Sequence, residues 1–507
     1  MPEADSTSDR GRRGRRLRRV LRIALFLLAG AAVGAVVLLA KLHRDEARLD
    51  ACVERIRRRG EPLAWRDFAT TRPAVAENAA EHHRQAAETY RRAFGLGDAA
   101  AAHAATRARR GDLVDLLRDG VLAHRRGRPG DARRVREALA LSKEVLGLCR
   151  RARRCRSADW GIRFRQPVFR WRPPRLRELS DVGDLLCLDA LRANEDGETA
   201  GAVERLRDAM ALARSVESVL CLTSFETADR IRREVCLAIE EMAPRLSAAR
   251  EDGEAHRAAR GLIADLLRRD GFDRAILGER SMAYEMAERA RAGRLSLRRL
   301  PRWPQGRTGL LGGGGHLGAI LPAFYAADEA ELLAKMAGDV EAARAATYPQ
   351  ACDARRTLPR RRFANASCTL VALLLPRLNR SFKVRFRNLA TRRMAAAALA
   401  MRLYELDHGH RPKELAELVP EYLAAVPDDP FARDAAAVRY LPARDCPRLY
   451  SVFKNAREDR GSFFVGSRGH LDLVDSPDLV FFLDGNCPPP PGRRGLRPAS
   501  ARSGSTP

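Results

Sequence analysis

The amino-acid sequence predicts a mainly α-helical protein. It would have an N-terminal transmembrane helix, a long helical bundle or hairpin body, and a small C-terminal α+β module of a helix and an antiparallel meander. Three observations predict this fold class. An unbroken apolar run covers Ile23–Ala40, and helical periodicity dominates from Glu77 to about Arg294. From Val438, short β-type runs, among them Phe463–Val465, alternate with turns rich in Pro, Gly and Asp.

The predicted segments follow the chain in order. They are an Arg-rich cytoplasmic tail (1–19), a transmembrane anchor (20–40), a stalk helix that ends at Gly60 and its link (41–76), a helical body (77–362), the α+β module (363–485) and a disordered tail (486–507). The C-terminal tail is predicted to be disordered from its Pro, Gly, Arg and Ser composition, which cannot build an apolar core.

The anchor prediction depends on the length of the apolar run. Extended back to Val20, it covers a bilayer core of about 30 Å at 1.5 Å per residue. The alternative is a cleavable signal peptide, whose apolar region is about 7–15 residues. Because Lys41 follows directly and no small-residue cleavage site ends the run, the sequence favours a retained anchor. Under the positive-inside rule the Arg-rich tail is cytoplasmic, so the chain after Ala40 would be periplasmic or otherwise extracytoplasmic, anchored in the inner membrane.

The charge and the cysteines exclude some function classes. The net charge is +28 over 507 residues, but the excess is Arg distributed among Glu and Asp on helices. No basic run is interleaved with stacking aromatics, so a nucleic-acid partner is not expected. Ten scattered cysteines do not form a zinc-finger framework. An oxidising compartment would allow a disulfide between Cys446 and Cys487, which the sequence does not establish.

Two stretches of the body each read as a helix, a Gly turn and a second helix. They are Leu122–Lys143 and Leu191–Arg214, and small residues such as Ala202 and Ala209 would allow the second helices to pack closely. Stacked helical hairpins similar to tetratricopeptide repeats are one interpretation, and an irregular helical bundle is the other.

An Arg-rich stretch interrupts the body between these hairpins. Arg163, Arg165 and Arg170 alternate with aromatic and apolar residues in the segment after Trp160. Such side chains could line a groove for an anionic ligand. The simpler interpretation is an extended loop over the bundle, with its aromatics inward and its arginines in solvent.

Asp407, His408 and His410 form a tight polar group that suggests acid–base or metal chemistry. The turn itself explains Asp407 and Gly409, because Gly tolerates the positive φ of a helix stop. Pro412 would then open a second short helix with Leu415 and Leu418 in its buried stripe. We therefore predict no catalytic residue, no metal site and no cofactor.

This stretch and the strands after it resemble the soluble part of type II secretion pseudopilins. The matching motifs are Leu403–Pro412, Leu415–Leu423, Pro427–Phe431 and Leu449–Ser451, and the resembling region as a whole covers about a fifth of the chain. Residues Pro427–Pro430 form a loop, called the Pro loop below. Asp428 and Asp429 would cap it and form its turn. The pseudopilin calcium loop corresponds to residues 454–461, where Glu458 and Asp459 offer oxygens but three basic residues oppose a dication.

The layout of the whole chain also resembles a group of large membrane-anchored bacterial proteins of uncharacterised function. That second resemblance implies no activity. The anchor and the pseudopilin-like module, without a catalytic constellation, predict a non-enzymatic, single-pass envelope protein that acts through protein–protein contacts, with envelope or secretion-related proteins as partners. The alternative is an enzyme or an anionic-ligand-binding protein with an Arg-lined pocket in the helical body.

Overall fold

A computed structural model describes residues 6–68, 74, 77–96, 112–113, 115–116, 121, 131–162, 173–247, 253–292, 294, 325–356, 378–434, 436–443, 446–464 and 476–485, with side chains from residue 21 onwards. The fold is mainly helical, as predicted, and ends in a small three-stranded antiparallel sheet. The described residues form twelve α-helices: α1 Ser6–Arg58, α2 Ala79–Ala93, α3 Asp131–Leu141, α4 Lys143–Arg153, α5 Leu176–Glu195, α6 Thr199–Glu217, α7 Leu222–Met242, α8 Gly253–Leu267, α9 Phe272–Arg291, α10 Tyr325–Arg344, α11 Tyr348–Arg356 and α12 Leu378–His408.

The chain divides into two compact units. The described part of unit 1 consists of residues 6–64 and those within 283–335, and the described part of unit 2 consists of those within 65–282, 336–359 and 376–485.

Helix α1 organises unit 1. It runs for 53 residues without a break and ends before Gly60, whose φ of +65° stops the helix as predicted. Its segment from Leu21 is long and apolar enough to cross a membrane, and the side chain of Phe26 is 80% exposed. Further along, Leu49 and Ile56 pack against Leu333 of α10.

Unit 2 is built around α6, which contacts α4, α5, α7 and α8. The predicted Gly turn before it is confirmed, since α5 ends at Glu195 and Gly197 has a φ of +83°. Ala202 and Ala209 of α6 are fully buried. The first predicted hairpin is described only from Asp131 onwards, where α3 begins.

Helix α12 joins the helices of unit 2 to the sheet. It packs against α7 and α8 on one side and against strands β2 and β3 on another. Residues on either side of the predicted boundary at 362/363 therefore share one hydrophobic core. The short apolar helix predicted at 364–375 lies outside the described residues.

The sheet has the strand order β1–β2–β3, with strands at Arg439–Leu441, Arg448–Ser451 and Leu479–Phe482. Tyr440 pairs with Leu449, which pairs in turn with Phe481, and both pairings are antiparallel. The predicted meander is confirmed.

Two local predictions were wrong. Phe463 and Phe464 form no strand, because the Phe464 N–H bonds to the Ser476 hydroxyl at 3.0 Å and not to a neighbouring strand. The short helix expected from Pro412 is only a 3₁₀ turn, Leu415–Leu418. Its first N–H groups are already satisfied by a capping box of Glu414 and Glu417, and the turn ends after four residues.

Cys446, just before β2, is disulfide-bonded. Its predicted partner, Cys487, lies outside the described residues.

Candidate functional site

The three arginines predicted to contact an anion, Arg163, Arg165 and Arg170, lie outside the described residues. The chain just before them is held on the helices. The indole N–H of Trp160 donates to the backbone oxygen of Ser215 at 2.6 Å, and Arg84 donates to the Trp160 backbone oxygen at 3.1 Å. The Trp160 side chain is therefore fixed against α6.

The polar group at the end of α12 is a structural junction centred on Asp407. Tyr422 donates its hydroxyl to Asp407 Oδ2 at 2.7 Å, and His256 Nε2 of α8 lies 3.2 Å from Asp407 Oδ1. Burial and the hydrogen bond to Asp407 raise the pKa of Tyr422 above its ordinary value. Asp407 thus ties together α8, α12 and the segment after the 3₁₀ turn.

Both histidines of this group are exposed, and both rings lie beside Tyr404. The centroid of the Tyr404 ring is 4.2 Å from that of His408 and 5.8 Å from that of His410. Tyr404 also donates its hydroxyl to Glu417 at 2.8 Å. Asp407 and His408, for which the sequence predicts no catalytic role, are thus engaged in hydrogen bonding and ring packing around the turn. Sequence reasoning missed His256 because it lies 151 residues before Asp407.

Asp429 is the hub of the Pro loop. Its buried carboxylate accepts hydrogen bonds from the Ser451 hydroxyl at 2.6 Å and from the backbone N–H groups of Val452 at 2.8 Å and Phe431 at 2.9 Å. The predicted turn-forming role is confirmed for Asp429, and the structure adds that it holds the end of β2. Asp428 is exposed.

The oxygen ligands suggested for the 454–461 loop are occupied by protein donors. Glu458 accepts from Tyr450 Oη at 2.5 Å and from Arg439 Nε at 2.8 Å, and Asp459 accepts from the Asn455 amide at 2.6 Å. Among the described residues, no group of three His, Cys, Asp or Glu side chains is placed to hold a metal ion.

A second polar cluster, which the sequence did not reveal, lies among the helices of unit 2. We call it the arginine recess. Its lining residues come from α6, α7 and α12 and from the C-terminal end of α8: Met210, Arg214, Glu217, Arg232, Asp265, Arg268, Arg269 and Arg392. The recess is partly open to solvent.

The two carboxylates of the arginine recess are already paired. Arg232 makes two parallel hydrogen bonds to Glu217, at 3.1 and 2.5 Å, and the Gly271 N–H donates to the same carboxylate at 2.6 Å. Asp265 accepts from Arg214 at 2.6 Å and from Arg207 at 3.2 Å. Both carboxylates therefore already have arginine partners within the protein.

Like Arg232, Arg392 is a buried arginine of the recess. Its side chain is 2% exposed, and its Nη2 donates to the Arg268 backbone oxygen at 2.9 Å. Its Nε has no hydrogen-bond partner among the described residues. Burial and the neighbouring charge of Arg232 lower the pKa of Arg392, although Asp270 and Asp229 favour its charged form.

Those two neighbouring carboxylates have partners of their own. Arg385 donates to both oxygens of Asp270 at 3.2 Å, and Asn388 donates to Asp229 at 2.5 Å. Burial opposes the ionisation of Asp270, but Arg385 and Arg392 outweigh it and lower its pKa to about 2. Burial outweighs the nearby arginines at Asp229 and raises its pKa to about 7.

No protein-family model, curated protein or solved structure matches the chain. The resemblance of residues 403–451 to pseudopilins therefore stays a prediction.

Proposed function

We propose that the protein is a single-pass, membrane-anchored envelope protein that acts through contacts with other proteins and has no catalytic activity of its own. The observation that carries the proposal is helix α1. Its apolar side chains from Leu21 to Leu39 are exposed, and the same helix continues without interruption to Leu49 and Ile56, which are packed in unit 1. In water such an apolar surface would be unfavourable, whereas in a bilayer it is solvated by lipid.

The charge distribution supports an orientation with the N-terminus in the cytoplasm. Residues 10–19 contain seven arginines, among them Arg18 and Arg19, directly before the apolar run. Positive residues flanking a span stay on the cytoplasmic side. The disulfide bond of Cys446 also supports an extracytoplasmic location for the bulk of the chain, because such bonds persist in oxidising compartments.

A role in protein–protein contacts is supported by the use of the polar residues near the C-terminus. Asp407 contacts Tyr422 and His256, and Asp429 accepts hydrogen bonds from Ser451 and Val452. These carboxylates therefore have structural roles in the C-terminal region. We infer that this region, with its pseudopilin-like motifs, is a docking surface for envelope or secretion-related proteins.

Protease accessibility in spheroplasts tests the topology. The full-length chain would carry an epitope tag at its C-terminus, and protease would be added outside the intact inner membrane. We expect the tag to be lost while a cytoplasmic control protein stays intact. A tag protected until detergent is added would contradict the proposal.

Crosslinking in intact cells tests the partner class. Affinity purification from crosslinked membranes should recover envelope proteins together with the full chain. A matched control replaces residues 1–40 with an unrelated single-span anchor of the same orientation, which should preserve the same partners. Recovery of the chain alone, or with ribosomal proteins only, would count against a docking role.

A further inference from the structure

The arginine recess carries more positive charge than its own carboxylates can balance. Five guanidinium groups line it, those of Arg214, Arg232, Arg268, Arg269 and Arg392, against the two carboxylates of Glu217 and Asp265. Glu217 is already bonded to Arg232, and Asp265 to Arg214 and to Arg207 outside the recess. Arg269 is paired with Asp273 at 3.1 Å, which leaves Arg268 and Arg392 without an ion-pair partner among the described residues.

Arg392 makes this imbalance costly. A guanidinium has five N–H donors, and removing it from water is unfavourable unless hydrogen bonds and a counter-charge replace the solvent. Among the described residues Arg392 forms no ion pair within 4 Å, donates once to the Arg268 backbone oxygen and leaves its buried Nε without an acceptor. Its nearest negative neighbours, Asp270 and Asp229, are held by Arg385 and Asn388.

We infer that the arginine recess binds a small tetrahedral oxyanion, either inorganic phosphate or the terminal phosphate of a monoester. Arginine forms paired, charge-assisted hydrogen bonds with phosphate oxygens, and a dianion would offset the surplus of guanidinium groups.

The positions of the arginines around the recess suggest how the ion is held. Arg392 is buried and contributes the unpartnered Nε, whereas Arg268 and Arg269 are exposed. The ion would therefore reach Arg268 and Arg269 from solvent and displace water as it meets Arg392. Arg214 and Arg232 are oriented by Asp265 and Glu217, so they need little reordering when the ion binds.

Calorimetric titration of the full-length protein in non-ionic detergent tests this inference. Inorganic phosphate would be compared with chloride at the same ionic strength, for the natural chain and for the double variant Arg268→Gln/Arg269→Gln. The matched control is Arg257→Gln/Arg274→Gln, which removes two exposed arginines outside the recess and changes the net charge equally. We expect saturable phosphate binding, at least tenfold weaker in the recess variant and unchanged in the control.

Arg392→Met gives a second measurement that does not depend on the exposed arginines. Phosphate should raise the melting temperature of the natural chain but not that of this variant. A natural chain that neither binds phosphate nor gains thermal stability from it would overturn the inference. Equal weakening in the recess variant and the control would also overturn it, since it would reduce the effect to net charge.

Competition separates the two sources of the phosphate group. Detergent micelles containing phosphatidic acid would be added to the phosphate titration, with phosphatidylcholine micelles as the control. If phosphatidic acid abolishes phosphate binding and phosphatidylcholine does not, the ligand of the recess is a lipid monoester. Unchanged binding would assign it to the free ion. Neither result depends on membrane orientation, so this inference can fail or stand separately from the proposed function.

Discussion

Ser451 donates its hydroxyl to Asp429 Oδ1 across 2.6 Å in the buried interior of unit 2. This single bond joins the Pro loop to the end of β2, and the Val452 N–H reinforces it from the next residue. The carboxylate thus acts as an acceptor shared by two segments that are 22 residues apart.

Replacing Asp429 by Ala should loosen the end of β2. The substitution leaves the Ser451 hydroxyl and the Val452 N–H without their acceptor, which costs about 2–4 kcal/mol when the donors stay buried. Hydrogen exchange of peptides covering residues 449–455 should become at least tenfold faster. The adjacent Asp428→Ala is the control, because Asp428 is exposed, and equal exchange in both variants would contradict the role of Asp429.

Glu279 should make stability depend on pH. Burial raises its pKa to about 7, although the Leu222 N–H donates to it at 2.8 Å. Because the folded state holds this proton more tightly than the unfolded state, the resulting stability is fully present below the unfolded pKa near 4.5. It is lost as the pH rises through about 7.

Thermal unfolding between pH 5 and 8 measures this effect. Glu279→Gln keeps an acceptor for Leu222 and removes the titration, so its melting temperature should fall less with pH than that of the natural chain. The difference across the range corresponds to a contribution on the order of 3 kcal/mol. Parallel pH profiles for the two proteins would contradict the prediction.

Gly278 should tolerate no larger residue. A Cβ at this position of α9 would lie 2.1 Å from the backbone oxygen of Leu220, which cannot move as a side chain can. We expect Gly278→Ala to destabilise unit 2 by about 1–3 kcal/mol, which is typical of overpacking.

The opposite sign is expected at Gly147 in α4, where the nearest atom to a new Cβ is an Arg151 nitrogen at 3.8 Å. Gly147→Ala should stabilise by about 0.5–1 kcal/mol through helix propensity. Melting temperatures of the two variants, measured side by side, check both signs. A Gly278→Ala protein as stable as Gly147→Ala would show that α9 does not pack closely on Leu220.

Cys446 should be oxidised in protein taken directly from the membrane. Alkylation of the denatured chain before reduction should modify Cys52, a free thiol, and leave Cys446 for a second label added after reduction. Cys487→Ser should move Cys446 into the first labelled group if Cys487 is its partner. A Cys446 that reacts in the first step of the natural chain would contradict both the bond and the extracytoplasmic location.

Features that depend on local backbone chemistry could be predicted from the sequence. Gly60, Gly197 and Gly409 all adopt positive φ where a helix stop was expected, because their freedom from a Cβ is independent of the rest of the fold. The apolar run of α1 and the order of the three strands were also predictable from periodicity.

Features that depend on distant partners could not be predicted. The contact of His256 with Asp407 spans 151 residues, and the burial of Arg392 depends on how α12 packs against α7 and α8. An arginine on a helix is usually exposed to solvent, so the residue type alone does not predict that Arg392 is buried. Phe463 has strand-forming chemistry, yet its ring packs edge-on against Phe482 from an irregular segment.

The absence of any Gly or Pro between Lys41 and Arg58 gives α1 a mechanical consequence. These 18 residues span about 27 Å at 1.5 Å per residue, with no point at which the helix would readily hinge. The proposed membrane span and the packed residues Leu49 and Ile56 would therefore move as one rigid helix. A change in the tilt of the proposed span within the bilayer would therefore rotate the part of unit 1 that packs on Leu49 and Ile56.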